Sequence, residues 1–156
     1  MADVEVTREI RAPAELVWGL VADVTRMPEW SPQTIAIEWL RGANRPVRGA
    51  SFRGTNRNGT KTWKSVSTVV DADPGKAFSF LVKVGGMSVA EWGYTFAPTA
   101  DGCAVTESWT DRRNPLLKLL SGPATGVADR ASHNRAGMTQ TLERLATAAE
   151  SSSPGD

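Results

Sequence analysis

A chain of 156 residues, 40% hydrophobic and 22% charged, has the make-up of a single folded domain, expected to span residues 1–150. Its net charge of +1, with 18 basic and 17 acidic residues dispersed along it, argues against nucleic acid or an anionic membrane surface as partner, Arg41 to Arg57 being the densest basic stretch. With one histidine and one cysteine there is neither an intrachain disulfide nor the ligand set of a zinc centre, so no metal and no other cofactor is expected.

Val4, Val6 and Ile10 alternate with Asp3, Glu5, Thr7, Glu9 and Arg11, the pattern of a strand with one wet face. Such alternation is not the apolar core of a signal segment, and no apolar run approaches the roughly 20 residues that span a bilayer, so a cytoplasmic protein without membrane insertion is expected. Pro13 opens a short helix, where a first-turn proline has no N–H partner to lose, and Leu16, Val17, Leu20, Val21 and Val24 share one of its faces. Pro28, Trp30 and Pro32 then force a compact corner, with Trp30 packing back on the helix.

Ile35, Ile37 and Trp39 share one strand phase, and Phe52, Gly54 and Asn56 share another. Asn58-Gly59 is the strongest short hairpin signal in the chain, so a strand from Lys61 to Val70 pairs back on the one before it. After the turn Asp73-Pro74-Gly75, Phe78, Phe80, Val82 and Val84 repeat every second residue up to Gly85-Gly86. Trp92, Tyr94 and Phe96 form the next inward set, and Asp101-Gly102 closes a hairpin into a strand bearing Val105, Glu107 and Trp109, where Cys103 reads as a small strand residue.

The period turns helical at Asn114, a cap followed by Pro115 in the first turn, and Gly122-Pro123 breaks this segment after Leu116 to Leu120. Val127, Ala131, Asn134, Met138, Leu142, Leu145 and Ala149 then recur at spacings of three and four. They mark one buried stripe of a long helix, weakly apolar at its start and strongly apolar at its end. Ser151 to Asp156 is small and polar and is expected to be a disordered tail.

Strand, then a helix ending at Asp23, then Pro28-x-Trp30-Ser31 resembles the opening of the START-like domains that include bacterial polyketide cyclases. The resemblance continues in Trp63, in Asp73-Pro74-Gly75 before a Phe-x-Phe strand, in Glu91-Trp92-x-Tyr94, in Asp101-Gly102 before Val105-Thr106-Glu107, and in Gly137-Met138-x-x-Thr141-Leu142-x-x-Leu145. It implies an α+β, helix-grip fold of the START-like, Bet v 1-like (SRPBCC) superfamily. In that fold a curved seven-stranded antiparallel sheet wraps a long C-terminal helix, and two short helices follow strand 1. It also implies a cavity between sheet and helix that holds an apolar molecule.

Strand phase alone directs Phe52, Asn56, Trp63, Ser65, Ser67, Phe78, Phe80, Trp92, Tyr94 and Trp109 inward. An ordinary filled core has the same make-up; with the resemblance added, the set reads as a small-molecule pocket, apolar walls supplying affinity and sparse polar groups fixing orientation. The candidate ligand contacts are Asn56, Trp63, Ser65, Ser67, Phe80, Trp92, Tyr94, Glu107 and Asn134, with Met27, Trp30 and Met87 at the mouth. Asn134 is included because it interrupts the apolar stripe, whereas His133 falls at the border of the packed face and is not assigned a catalytic role.

Glu107 shares its parity with Val105 and Trp109, so its carboxylate is directed inward, where it needs a partner or a raised pKa. Arg8 breaks the dry parity of the first strand in the same way, and the resemblance places the first and last strands side by side. A buried pairing of Arg8 with Glu107 is therefore expected, either as a self-neutralising ion pair or as a charged anchor and weak candidate for acid/base catalysis, unless a bulge turns one of them out. There is no Gly-x-Ser-x-Gly elbow and no phosphate-cradling glycine motif.

The leading expectation is binding of a small hydrophobic or aromatic molecule, lipid- or polyketide-like. The alternative is a polyketide aromatase/cyclase acting on a bound chain. A START-like protein-interaction module is the third reading, against which the Thr, Ser, Glu, Lys and Arg of the outer strand faces speak. Monomer and homodimer both stay open.

Overall fold

The alternating segments assemble into one antiparallel sheet in the computed structural model, which describes residues 2–125 and 129–152, the side chains of 121–125 excepted. Strands β1 (Val4–Ile10), β2 (Thr34–Leu40), β3 (Ser51–Asn58), β4 (Lys61–Asp73), β5 (Ala77–Val84), β6 (Met87–Pro98) and β7 (Cys103–Asp111) lie in the order β1-β7-β6-β5-β4-β3-β2. β2 to β7 form a meander, and β1 closes on β7 with Val6 opposite Glu107 and Arg8 opposite Val105. Helix α1 (Ala14–Ala22) and a 3₁₀ helix (Val24–Glu29) follow β1, while α2 (Pro115–Thr125) and the 23-residue α3 (Arg130–Ser152) follow β7. This is the α+β helix-grip fold, a curved seven-stranded sheet around a long C-terminal helix.

The corner after β1 is fastened by its tryptophans. Trp18 donates its indole N–H to the Ala77 carbonyl at 2.8 Å and meets Phe78 edge to face, which ties α1 to β5. Trp30 is only 3% exposed and joins the core that contains Val17, Val21 and Val24, with the Arg26 guanidinium 5.3 Å from its ring.

Several boundaries differ from the sequence expectation for identifiable reasons. Asn58 pairs with Lys61, so the two-residue hairpin loop is Gly59-Thr60, with Gly59 at φ +61° in the first loop position. A bulge between Thr34 and Ala36 takes Ile35 out of phase with Ile37, and Ile35 is 43% exposed while Thr34 faces the sheet's inner side. A second bulge between Val69 and Asp71 lets β4 run on past Val70 to Asp73. Asn114 does cap α2, accepting from the Leu117 N–H at 2.8 Å, but the helix continues through Gly122-Pro123. A proline in the last turn forfeits one intrahelical bond and leaves the others in place.

In α3 the buried stripe is Asn134, Met138, Thr141, Leu142, Leu145, Ala146 and Ala149. Ala131 is exposed, because the position one full turn before Asn134 is Arg130; Val127 lies outside the described residues. Ser151 and Ser152 extend the helix, and residues 153–156 also lie outside the described residues. The two halves of α3 meet different surroundings. Leu142, Leu145, Ala146 and Ala149 belong to the filled core with Ile10, Val17, Phe78 and Val105, whereas Asn134, Gly137, Met138 and Thr141 border open space.

Candidate functional site

That open space is a cavity of about 290 Å³ between the sheet and the N-terminal half of α3. Its walls come from strand parity: Phe52 on β3, Trp63 on β4, Phe80 on β5, Trp92 on β6 and Trp109 on β7 all present the same face of the sheet. The nine side chains singled out in the sequence as ligand contacts, Asn56, Trp63, Ser65, Ser67, Phe80, Trp92, Tyr94, Glu107 and Asn134, all lie on its lining. Of the three residues placed at the mouth, Met27 lines the cavity and the other two do not. Trp30 is buried in the core, because the 3₁₀ corner turns it inward. Met87 follows the tight Gly85-Gly86 turn between β5 and β6 and is 48% exposed, off the lining.

The pairing of Arg8 with Glu107 does not occur. Arg8 is exposed, and Glu107 is bonded to Tyr94 instead. Parity placed both residues correctly, but β1 is an edge strand, from which a long guanidinium side chain reaches water at less cost than burying its charge.

Tyr94 and Glu107 sit directly opposite each other on β6 and β7, and the phenol donates to Glu107 Oε2 at 2.9 Å. Glu107 is 3% exposed, and its Oε1 has no hydrogen-bond partner among the described residues. Burial pushes the carboxyl up to about 8 against the opposing pull of the Tyr94 bond, so at neutral pH it is mostly the uncharged acid. Burial, and then the neighbouring Glu107, push the Tyr94 phenol well above its ordinary value, so it stays a donor.

The β2–β3–β4 wall carries a polar chain of its own. Ser31 donates to Thr34, Thr34 to the Asn56 carbonyl oxygen, both at 3.3 Å, and the Asn56 amide donates to Ser65 Oγ at 3.1 Å. Asn56 is thus held by neighbours at both ends of its amide.

At the end of the cavity reached by α2 and α3 stand Gln33, Arg113, Arg130 and His133. Arg113 clamps Asp111 through Nε at 2.9 Å and a terminal nitrogen at 2.7 Å. Burial alone would raise the Asp111 carboxyl, but the bonds from Arg113 prevail and hold it below the usual range. Arg130 stands 5.9 Å from the Trp63 ring and 3.4 Å from Gln33 Oε1, and His133 Nε2 is 2.9 Å from the same oxygen. Burial, then the charge of Arg113, lower the Arg130 pKa; burial, then Arg130, lower that of His133. Sequence reasoning missed Gln33, Arg113 and Arg130. Arg130 was recoverable as the helical position four before Asn134; the other two lie in connections with no periodicity.

Among the described residues no group of three or more His, Cys, Asp or Glu is placed to hold a metal ion, and no helix is long and apolar enough to cross a membrane. Cys103 is buried, and burial pushes its thiol up, which disfavours the thiolate.

Solved structures share this architecture. The Polyketide_cyc-like protein Cgl2372 of Corynebacterium glutamicum is 28% identical, with 94% of this chain and 88% of that one covered and a TM-score of 0.57. The di-domain ARO/CYC StfQ from the steffimycin biosynthetic pathway is 15% identical over 95% of this chain and 50% of its own, TM-score 0.73. Major latex-like protein 151 of Panax ginseng is 12% identical over 94% and 95% of the two chains, TM-score 0.69. A comparison with curated proteins found no match. The family model described as polyketide cyclase / dehydrase and lipid transport matches residues 1–150, and the chain belongs to that family.

Proposed function

We propose that this protein is a binding module that encloses one small hydrophobic or aromatic molecule between the sheet and the first half of α3. The observation that carries this reading is the cavity itself, about 290 Å³ and walled mainly by Trp63, Trp92, Trp109, Phe52 and Phe80. Apolar walls of this kind supply affinity through buried area, and the volume lies near the lower end of small-molecule sites. Trp63 and Trp92 offer faces for stacking, Asn134 and Ser67 hydrogen bonds, and the Tyr94 and Glu107 pair a fixed polar point on the wall.

Native mass spectrometry of the purified protein, with release and identification of any bound compound, tests this directly. A near one-to-one apolar compound supports the reading. An empty protein whose Tm no apolar or aromatic compound raises would reject it, since a ligand that binds only the folded state must raise Tm.

One observation favours a second reading, that of an aromatase/cyclase acting on a bound polyketide chain. Glu107 is a buried, largely protonated acid on the cavity wall, which suits it to give a proton to a substrate oxygen held beside it. Turnover of a polyketide-like substrate that Glu107→Gln abolishes without loss of binding would establish catalysis over carriage.

A further inference from the structure

On β6 and β7 the inward pairs succeed one another as Phe96 with Val105, Tyr94 with Glu107, and Trp92 with Trp109. Phe96 and Val105 are buried in the filled core and do not border the cavity, whereas the other two pairs line it. Glu107 therefore stands where the filled core ends and the open space begins, and an occupant that reaches it has room to extend only towards Trp92 and Trp109. Resting on the binding function proposed above, we infer that the occupant is a ring-bearing apolar molecule with an uncharged oxygen acceptor, such as a ketone, quinone or ester carbonyl, at its inner end, where Glu107 donates to it.

The donor is defined by the bonds already made. Glu107 is 3% exposed, and among the described residues only its Oε2 has a partner, the Tyr94 phenol, which donates to it at 2.9 Å. With that phenol proton directed at Oε2, the proton of the uncharged acid belongs on Oε1. Burial keeps the carboxyl mostly in this uncharged form at neutral pH. A buried O–H without an acceptor keeps its desolvation penalty, and a ligand that brings the acceptor relieves it. The terminal torsion of a glutamate is broad, so Oε1 can turn to meet that acceptor.

Other ligand groups fit this place less well. An ammonium would require the carboxylate form, which burial disfavours, and would lose its own hydration. A ligand carboxylate would bring a charge to a position flanked by Tyr94 on β6 and Val6 on β1, neither of which offers a positive charge. An uncharged carbonyl meets the O–H without either cost. Beyond Glu107, Trp92 faces Phe80 across β5 and β6 and Trp109 across β6 and β7, so the body of the ligand runs into an aromatic wall suited to rings.

The test uses four naphthalenes read by calorimetry on the full chain: 2-acetylnaphthalene, its isopropenyl analogue, which lacks the acceptor, the 1-(2-naphthyl)ethylamine cation, and 2-pivaloylnaphthalene, which crowds the carbonyl with methyl groups. The preference for acetyl over isopropenyl, taken as a ratio of affinities, should be at least about tenfold larger in wild type than in Glu107→Leu, the scale of one buried hydrogen bond. Glu107→Gln, which keeps a donor, should hold the ratio within about threefold of wild type. The amine and the pivaloyl ketone should each bind wild type at least about tenfold more weakly than the acetyl ketone. Retained binding of the isopropenyl compound shows that Glu107→Leu is folded. A second readout needs no variant: the infrared C=O stretch of the bound acetyl ketone should lie below its frequency in hexane, and an unmoved stretch would overturn the inference. So would a ratio unchanged by Glu107→Leu, tighter binding of the amine, or equal binding of the pivaloyl ketone, each of which leaves a binding cavity in place. If no naphthalene binds, the inference falls, and the binding function falls with it only if native mass spectrometry also finds the protein empty.

Discussion

Tyr94 and Glu107 are cross-strand partners joined by a 2.9 Å bond from phenol to Oε2, and among the described residues the other carboxyl oxygen is buried without a partner on the wall of a cavity. A filled core would not tolerate that arrangement without cost, because a buried polar atom without a partner keeps its full desolvation penalty. At the border of a cavity the same atom is available to whatever enters.

The pair gives the fold a pH signature. Glu107 is raised from 4.5 to about 8, so between those values the folded chain holds a proton that the unfolded chain has lost. Its contribution to stability is complete below pH 4.5, declines as pH rises towards about 8, and is flat beyond. Tyr94 faces it directly, Val6 of β1 lies opposite on the other side, and Arg113, Arg130 and His133 share the cavity. His133 works in the opposite sense: lowered from 6.5, it favours the folded state more as pH rises through that value. Comparing urea midpoints of wild type and Glu107→Gln isolates the Glu107 part. The wild type should lose on the order of a few kcal/mol relative to the variant between pH 5 and pH 9, the scale set by such a shift. Parallel profiles would show that Glu107 is not the titrating group.

Tyr94→Phe removes the one hydrogen bond that lowers the Glu107 pKa, while burial remains. The carboxyl should then titrate above its wild-type value, by about one unit or less, the reach of one neutral donor. Infrared difference spectra of the protonated carboxyl band across pH measure it. A downward move would mean that water enters when the phenol is lost.

Arg8→Gln should leave that titration unmoved and change stability by no more than about 0.5 kcal/mol, as for an exposed side chain without a structural partner in the sheet. A large shift of the Glu107 titration in this variant would restore the ion pair that parity alone implied.

Gly102 and Gly19 make opposite predictions. A Cβ on Gly102 would overlap the Ile10 carbonyl and lie 2.7 Å from the Ala12 nitrogen, both backbone atoms that cannot swing aside. Gly102→Ala should therefore cost about 2–4 kcal/mol, towards the upper end for overpacking. Gly19 is helical with nothing within 4 Å of its virtual Cβ, so Gly19→Ala should gain up to about 1 kcal/mol from helix propensity. Denaturant melts of the two variants decide it, and a neutral Gly102→Ala would mean that the β6–β7 turn can shift away from Ile10 and Ala12 at little cost.

Much of this was legible in the residues because strand parity has a period of two and survives bending of the sheet. Trp63, Trp92, Tyr94 and Glu107 could be placed on the inner face without knowing how far the sheet curves. Parity fails at a bulge, which is why Ile35 and Thr34 exchange faces, and it does not know which strand is an edge, which is why Arg8 escapes to solvent. It is also silent beyond Asp111, where Arg113 leaves the strand. The position of the cavity, by contrast, was written in α3, whose stripe begins with Asn134 and ends with Leu142, Leu145 and Ala149.

That division of α3 separates stability from binding. Leu145 is fully buried in the filled core, and Leu145→Ala should cost about 2–5 kcal/mol through lost transfer energy and a new void. Because Leu145 does not border the cavity, the affinity of the folded fraction for an apolar compound identified by native mass spectrometry should stay within about threefold of wild type, a change of well under 1 kcal/mol. Asn134, three turns earlier, faces open space instead of packed side chains. Asn134→Ala should cost less, about 1 kcal/mol of stability, because part of its side chain borders the cavity, yet shift the affinity for the same compound severalfold. Urea melts and calorimetry on the two variants should thus give opposite rankings. If Asn134→Ala destabilises as much as Leu145→Ala, the first half of α3 packs on the sheet in solution and the cavity is closed.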